Sequence, residues 1–179
     1  MVSGAGANAG KVLVVYYSMS GNTARVARDI ARLMGADVES IRDEGHGTGF
    51  VGYLKCAFDA MRGKAASIGS LSTDPQDYAL TIIGTPVWFG RMTPGVRAFL
   101  NRCRSRLGDV AYFTTSGSTE VMKLVPQLQR VSGRIALAAV GFDARDLADA
   151  ALYDTKLAVF VAAINRSRPL PRVDSNPTA

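Results

Sequence analysis

The sequence predicts an α/β protein with a doubly wound, five-stranded parallel sheet and helices on both faces. Two observations lead to this expectation. Five short apolar segments have the length and composition of buried strands, and segments with helical periodicity alternate with them along the 179 residues. In such sheets ligands bind at the carboxyl ends of the strands, so the loops after strands one, three and four are the candidate site.

The first strand and first helix are the clearest elements. Residues 11–17, KVLVVYY, are apolar without alternation, which is typical of a strand buried on both faces. Residues 23–34 form an amphipathic helix with arginines on the opposite face, and Gly35 stands where a helix C-cap belongs. The predicted apolar face consists of Val26, Ala27, Ile30, Ala31, Leu33 and Met34.

The next segments lead to the third strand. Residues 37–41 predict a short second strand, and the glycines of residues 43–49 predict a loop. Apolar residues at helical spacing predict a second helix near residues 50–62, followed by a polar connection over residues 63–76. Residues 78–84, YALTIIG, predict a third buried strand. The helical spacing is set by Phe50, Leu54, Phe58 and Met61.

A third helix begins at Thr93-Pro94, with Thr93 as N-cap and Pro94 at the first helical position. Residues 109–115 predict a fourth strand. Residues 118–130 have a helical pattern, but Pro126 must kink or divide that helix. The third helix presents an apolar face of Val96, Phe99, Leu100 and Cys103.

The last elements complete one domain over residues 11–166. Residues 134–140 predict the fifth strand and residues 146–165 the last helix. Residues 1–10 are rich in glycine and alanine and predict a flexible tail, and residues 167–179, with three prolines, predict an irregular one. The inward face of the last helix is predicted to hold Leu147, Ala151, Leu157, Val161 and Ile164.

Composition narrows the function classes. Cys56 and Cys103 form no C-x-x-C pair, and no signal peptide or membrane-spanning run is evident, so we expect a reduced, cytoplasmic protein without a metal site. The net charge of +6 is spread along the chain. It indicates either ordinary solubility or an anionic ligand or acidic partner. Nucleic-acid motifs are absent from the sequence, so nucleic acid is not an expected partner.

The turn YYSMSGNT joins the first strand to the first helix and contains hydroxyls but no Lys or Arg. The first amides of a helix lack intrahelical partners and attract anions. Ser18, Ser20 and Thr23 add hydroxyl donors, Asn22 adds an amide, and Gly21 allows close approach of the backbone. The turn therefore suits a phosphate. An ordinary helix N-cap with spare hydroxyls explains it equally well when it is considered alone.

Several other sites are excluded by the residues present. The turn has no Lys, which a P-loop requires, and one glycine where a dinucleotide-binding fingerprint needs three. A response regulator would need acidic residues where Ser18 and Thr85 stand. His46 is the single histidine and lies in a Gly-rich loop, and the sequence has no G-x-S-x-G elbow, so we predict no catalytic side chain.

Two further loops favour the phosphate interpretation. GTPVWFGR, residues 84–91, follows the third strand, and TTSGS, residues 114–118, follows the fourth. Together with the pattern [TS]-x-[TS]-G-x-[TS] at residues 18–23, they resemble the flavodoxin family, as do PGVRAFL and GYLKCAFDAMRGK. The resemblance spans about residues 11–165 and implies a flavodoxin-like sheet with strand order 2-1-3-4-5.

The resemblance implies that the chain binds flavin mononucleotide (FMN). The phosphate would lie in the first loop, and the other two loops would flank the isoalloxazine ring. Trp88 is placed by the resemblance beside this flat, apolar ring, although it could instead cap the core. The implied cofactor-binding residues are Ser18, Met19, Ser20, Gly21, Asn22, Thr23, Thr85, Pro86, Val87, Trp88, Phe89, Gly90, Thr115, Ser116 and Gly117.

Two departures from the family leave the function open. Residues 115–119 offer no second aromatic, so the outer ring face is open or is covered by a partner or by residues 45–49. Flavodoxins that carry electrons are typically acidic, whereas this chain is basic. We expect an electron carrier between protein partners, with an acidic redox partner and a possible homodimer. The alternatives are an NAD(P)H- or quinone-linked FMN reductase, or a flavin-free binding module.

Overall fold

The computed structural model describes residues 10–42, 68–117 and 121–168. Its strands are β1 (Val12–Tyr16), β2 (Asp37–Ser40), β3 (Leu80–Trp88), β4 (Arg91–Met92), β5 (Asp109–Thr115) and β6 (Ala136–Phe142). Its α-helices are α1 (Asn22–Met34), α2 (Pro94–Cys103), α3 (Val125–Ser132), α4 (Ala144–Ala148) and α5 (Ala150–Ser167). The predicted helix near residues 50–62 and the predicted loop at residues 43–49 lie outside the described residues.

The main sheet has the order β2-β1-β3-β5-β6, and all its neighbouring strands are parallel. This confirms the predicted order 2-1-3-4-5, because β5 and β6 are the fourth and fifth principal strands. The two-residue strand β4 was not predicted. It pairs antiparallel with the end of β3 through Val87↔Met92 and Trp88↔Arg91.

Apolar residues on the two faces of the sheet form two core clusters. On one face, the side chains of β1, β3 and β5 pack against Val96, Phe99 and Leu100 of α2 and against Leu128 of α3. On the other face they pack against α1 and α5, which contribute Val26, Ala27, Ile30, Tyr153, Leu157, Phe160 and Ile164. Helices therefore cover both faces, as predicted from the strand–helix alternation.

The first helix follows its sequence pattern closely. It ends at Met34, and Gly35 adopts the left-handed conformation at φ 59°. Val26, Ala27 and Ile30 are fully buried. Leu33 was expected on the same face but is 51% exposed. The predicted apolar face was therefore one residue too wide at its C-terminal turn.

The third strand is longer than predicted, because it continues through the GTPVW segment to Trp88. Gly84 permits this course: a Cβ atom there would lie 2.0 Å from the ring of Phe113 on neighbouring β5. Beyond Gly84, β3 pairs with β5 but no longer with β1, whose last paired residue is Tyr16. Pro86 thus occupies a strand position with one open edge, where its missing N–H is tolerated.

The last predicted helix, residues 146–165, is wrong in its boundaries, because two aspartates divide it. Asp143 and Asp146 form a capping box that starts α4. Asp149 then accepts hydrogen bonds from the amides of Ala151 and Leu152 and starts α5. Ala151 lies at this new helix start and is exposed, whereas the prediction placed it in the core.

Pro126 divides the predicted helix at residues 118–130, as expected. A 3₁₀ turn spans Val121–Leu124, and α3 follows with the proline in its first turn. Thr93 occupies the predicted N-cap position of α2, but its side chain forms no capping hydrogen bond. In the part of the chain that the structure describes, no helix is long and apolar enough to cross a membrane.

Candidate functional site

The loops predicted as a site lie together, because β1, β3 and β5 are adjacent and parallel and their carboxyl ends share one edge of the sheet. The first loop joins β1 to α1. The amide of Tyr17 donates to the carbonyl of Gly84 at 3.1 Å, which ties the start of this loop to β3. Gly21 adopts the left-handed conformation at φ 91° and precedes the helix without a side-chain cap. The first amides of α1 are therefore left for another acceptor.

Ser18 provides an independent observation that points to ligand binding. Its hydroxyl oxygen is buried and has no hydrogen-bond partner among the described residues. A buried polar group without a partner costs about 1–3 kcal/mol, so such groups are rare in folded proteins. In the same turn, Met19, Ser20 and Asn22 are exposed. The turn thus combines uncapped amides, a buried hydroxyl and exposed polar side chains, which together suit a phosphate.

Thr23 connects the first loop to the third. Its side chain is 2% exposed, and its hydroxyl oxygen lies 2.8 Å from that of Thr115, which is 4% exposed. Either hydroxyl can be the donor in this bond. If Thr115 donates, the proton of Thr23 remains available to a ligand. The sequence placed both residues in the site but gave no sign that they contact each other.

The second loop is a β-hairpin rather than an irregular segment. Phe89 and Gly90 form its two-residue tip with φ values of 49° and 70°, as in a type I′ turn. Phe89 is the one non-glycine residue with positive φ among the described residues, and it is 67% exposed. A bulky side chain in this conformation costs free energy that burial does not offset here. The tip is therefore a strained aromatic residue beside the candidate site.

Trp88 has a different environment from the one that stacking on a ligand would require. It is 8% exposed and belongs to the core cluster on the α2 face. Its ring meets that of Tyr17 edge to face, with centroids 5.9 Å apart and an interplanar angle of 89°. Trp88 thus has core contacts, and its place beside a flavin ring stays a prediction. Phe89, at the next position, is the exposed aromatic.

Other predicted residues of the hairpin are buried or form hydrogen bonds within the protein. Thr85 is fully buried, and its hydroxyl donates to the carbonyl of Pro86 at 2.9 Å and lies 3.3 Å from the hydroxyl of Thr93. The amide of Thr93 also donates to Thr85 Oγ1 at 3.3 Å. These contacts close the connection between β3 and α2. Pro86 and Val87 are half-buried.

The third loop follows β5. Thr115 is its last strand residue, Ser116 is half-buried and Gly117 is exposed. The amide of Ser116 donates to the carbonyl of Phe142 at 3.0 Å, which holds this loop to the end of β6. A Cβ atom on Gly117 would meet no atom within 4 Å, so the space beside the loop is open. Residues 118–120, which follow, lie outside the described residues.

Positive charge gathers beside the hairpin. Arg97, in the first turn of α2, is half-buried, and its pKa lies below the ordinary value because of that burial and the nearby Arg91. Arg91 is exposed on β4. Neither guanidinium forms a hydrogen bond or ion pair with the described residues. The two cations therefore repel each other without a counter-ion from this part of the chain.

A shallow depression of about 380 Å³ lies at the opposite edge of the sheet, where α2 and α3 end. Arg104 and Arg134 line it. The guanidinium of Arg134 donates to the carbonyl of Leu107 at 2.6 Å. Cations near helix C-termini are favoured for ordinary electrostatic reasons. The depression is distant from the three loops and adds nothing to the candidate site.

Comparison with known proteins is consistent with this geometry. A family model described as flavodoxin matches residues 11–161. A flavoprotein from Lactobacillus acidophilus, solved in complex with FMN, is 26% identical with a TM-score of 0.64, and the match covers 78% of this chain and 97% of that one. No curated protein matches the sequence.

Two flavoproteins from Bacteroides have the same fold at lower identity. The protein from Bacteroides eggerthii is 20% identical with a TM-score of 0.60, and the match covers 82% of this chain and 97% of that one. The protein from Bacteroides uniformis is 21% identical with a TM-score of 0.62, covering 76% and 92% of the two chains. The family match spans most of the chain and agrees with the strand order and the three loops. The chain belongs to the flavodoxin family.

Proposed function

We propose that this protein binds FMN and carries electrons between protein partners in the cytoplasm. The observation that carries the proposal is the buried hydroxyl of Ser18, which has no hydrogen-bond partner among the described residues, in the turn before the uncapped N-terminus of α1. A phosphate placed there would accept hydrogen bonds from this hydroxyl and from the first helical amides. The complex of the Lactobacillus acidophilus relative with FMN supports the identity of the ligand.

The predicted site residues divide into two groups by their surroundings. Ser18, Ser20, Gly21, Asn22 and Thr23 form the turn that would hold the phosphate. Met19 and the residues of the hairpin and third loop would border the flavin ring: Thr85, Pro86, Val87, Trp88, Phe89, Gly90, Thr115, Ser116 and Gly117. Within this second group, exposure favours Phe89 as the aromatic that contacts the ring, with Trp88 and Thr85 supporting the hairpin from below.

The flavin supplies the redox chemistry when it is bound, by accepting and releasing electrons. The protein orients it and controls access to it. The exposed carboxyl edge of the sheet would leave part of the ring open to a partner. A carrier needs this access, and the basic net charge of +6 favours an acidic partner.

Titration of the apoprotein tests the proposal. We expect FMN to bind about one to one with a saturable change in flavin fluorescence at micromolar concentrations. Riboflavin, which lacks the phosphate, should bind more weakly because it cannot use the turn at residues 18–23. Absence of saturable binding would refute the proposal, and equal affinity for the two flavins would place the phosphate elsewhere.

A second measurement separates the carrier from the reductase. The FMN-loaded protein is incubated with NADPH or NADH and a quinone, and the steady-state rate is followed. A carrier should show no turnover above that of free FMN at the same concentration. Rapid, saturable turnover would identify a reductase and contradict the carrier proposal, while leaving the FMN site intact.

A further inference from the structure

The charge distribution around the three loops is one-sided. The described residues of these loops and the turns that follow them, residues 17–25, 86–97, 114–117 and 121–125, contain no Asp or Glu. They contain four cations, Arg25, Arg91, Arg97 and Lys123. Asp29 lies one helical turn after Arg25 and accepts a hydrogen bond from the hydroxyl of Tyr153 at 2.7 Å, and Glu120 lies outside the described residues. We call the four cations the basic rim.

The acidic residues after β6 do not neutralise the rim, because the fold uses them locally. Asp146 is 5% exposed and bonds to Lys156 Nζ at 2.5 Å. Asp143 and Asp149 accept hydrogen bonds from helical amides as N-caps. Arg25 of the rim stacks on the ring of Tyr153, with its guanidinium carbon 4.4 Å from the centroid, and donates a hydrogen bond to the carbonyl of Leu147 at 3.1 Å.

Exposed apolar side chains accompany these cations. Phe89 is 67% exposed beside Arg91, and Met122 is 46% exposed beside Lys123. Protein interfaces commonly have an apolar centre enriched in aromatic residues and Met, with a polar rim that favours Arg. Exposed Phe89 and Met122, close in sequence to Arg91 and Lys123, have this composition.

The spacing of the cations distinguishes a protein partner from a small anion. They come from α1, β4, α2 and the turn after β5, which are set across three adjacent strands. Strands lie about 4.8 Å apart, so the loops alone span roughly 10 Å before side-chain length is added. One phosphate would engage one or two of these cations. A surface bearing several carboxylates would span this distance and engage Arg91 and Arg97 together.

We propose that the basic rim, with Phe89 and Met122, is the docking surface for an acidic redox protein, one whose carboxylates surround its own electron-transfer centre. This inference rests on the proposed function and locates its partner site. The repulsion between Arg91 and Arg97 is relieved when carboxylates approach, so docking gains from a charge pair that no other described residue neutralises. Complementary charge acts mainly by accelerating encounter.

The test uses an acidic plant-type [2Fe–2S] ferredoxin as the probe. Its chemically reduced cluster donates one electron to the oxidised flavin of the FMN-loaded protein, and stopped-flow absorbance gives the second-order rate constant. The rate is measured from about 10 mM to about 300 mM ionic strength, where screening changes from weak to strong. We expect it to fall steeply as salt is added.

The test compares the electron-transfer rates of two matched double variants. Arg91→Gln with Arg97→Gln removes two charges from the rim. Arg130→Gln with Arg166→Gln removes two exposed charges near the C-terminal ends of α3 and α5, at the opposite edge of the sheet. The first should lower the low-salt rate about tenfold, within the range known for electrostatic steering, and flatten the salt dependence. The second should leave both nearly unchanged.

Each other outcome overturns the inference. Equal losses in the two variants would mean that net charge, not a docking surface, sets the rate. Weaker FMN binding by the Arg91/Arg97 variant would assign these residues to the cofactor. An unchanged ferredoxin rate in the Arg91/Arg97 variant would show that these residues are not part of a docking surface. Failure of the unaltered protein to bind FMN refutes the proposed function itself, and the flavin titration detects that separately.

Discussion

The buried hydroxyl of Ser18 should lower the stability of the apoprotein but strengthen the binding of FMN. Its removal therefore tests the phosphate site. Without a ligand the hydroxyl is a buried polar group lacking a partner among the described residues. Ser18→Ala should therefore leave the apoprotein as stable as before or more stable. With FMN, the same change removes a hydrogen bond to a charged phosphate, which contributes about 1.5–3 kcal/mol. FMN affinity should fall at least about tenfold, and riboflavin affinity should not change.

Thr81 provides the matched control. Its hydroxyl is also buried without a partner among the described residues, but it lies near the start of β3, level with Leu13 of β1 and away from the carboxyl end of the strand. Thr81→Val should have the same small effect on apoprotein stability and no effect on FMN affinity. Urea unfolding and flavin titration of both variants check this. Loss of FMN affinity in both, or in neither, would remove Ser18 from the phosphate site.

The two aromatic residues at the end of β3 are separated by complementary substitutions. Trp88→Ala should cost about 3–5 kcal/mol of folding free energy, as for other large core residues, with FMN affinity per folded molecule nearly intact. Phe89→Asn should leave stability unchanged or raise it, because Asn suits the first position of a type I′ turn. It should weaken FMN binding by about 1–3 kcal/mol through the loss of an aromatic contact.

Urea unfolding and flavin titration of both variants show which of the two aromatics contacts the flavin and which supports the core. A Trp88→Ala protein that is stable but binds FMN poorly would restore Trp88 as the stacking residue. The sequence could place both aromatics at the site, because they follow an apolar strand at its carboxyl end. It could not show which of them faces outward, because that depends on the turn conformation and on the edge-to-face contact with Tyr17.

At the scale of elements, strand–helix alternation was sufficient to predict a parallel sheet, since parallel strands require helical crossovers. The order of the strands was implied by the resemblance to the flavodoxin family. The ends of elements were less predictable. Gly84 and Pro86 normally interrupt strands, yet here the close approach of Phe113 and the open edge of β3 accommodate them. The start of α5 depends on Asp149 acting as an N-cap, which its sequence neighbours do not distinguish from an ordinary helical aspartate.

The contact between Tyr78 and β2 predicts sensitivity to alkali. The hydroxyl of Tyr78 donates to Asp37 Oδ2 at 2.8 Å and joins the start of β3 to edge strand β2. Burial, together with the Asp37 carboxylate, raises the pKa of Tyr78 to about 12. The unfolded value is about 10. The folded state thus holds this proton more tightly, so its stabilising effect is complete below about pH 10 and is lost as pH rises towards about 12.

Urea unfolding at about pH 8 and about pH 11 tests this linkage. The unaltered protein should lose stability between the two values. Tyr78→Phe should be weaker by about 1 kcal/mol at the lower pH, through the lost hydrogen bond, and should lose less on going to the higher one. Some loss should remain, because burial and Asp29 also raise the pKa of Tyr153. An identical pH dependence in both proteins would contradict the role of Tyr78.

At the scale of the whole molecule, the three loops meet only because the order of strands brings β1, β3 and β5 side by side. The resemblance to the flavodoxin family implied that order, so the meeting of the loops could be predicted from it. The hydroxyl contact between Thr23 and Thr115 could not, because it joins residues 92 positions apart through the final packing of α1 on β5. The assignment of individual site residues and the limits of the domain at residues 11 and 166 stay predictions.

Ligand binding to the folded chain must raise the temperature of unfolding, and the size of the shift reports on the phosphate turn. At a free FMN concentration of 100 times Kd, the stabilisation is about 2.7 kcal/mol. For a protein of this size each kcal/mol raises Tm by about 2–4 °C, so we expect a shift of roughly 5–11 °C. Riboflavin at the same concentration should give a smaller shift, since it leaves the hydroxyl of Ser18 and the amides of α1 unpaired.

Calorimetry with FMN, riboflavin and inorganic phosphate at equal ionic strength measures all three shifts in the temperature of unfolding. Equal shifts from the two flavins would show that the turn takes no part, whereas a shift by phosphate alone at high concentration would locate the anion in the turn, independently of the ring.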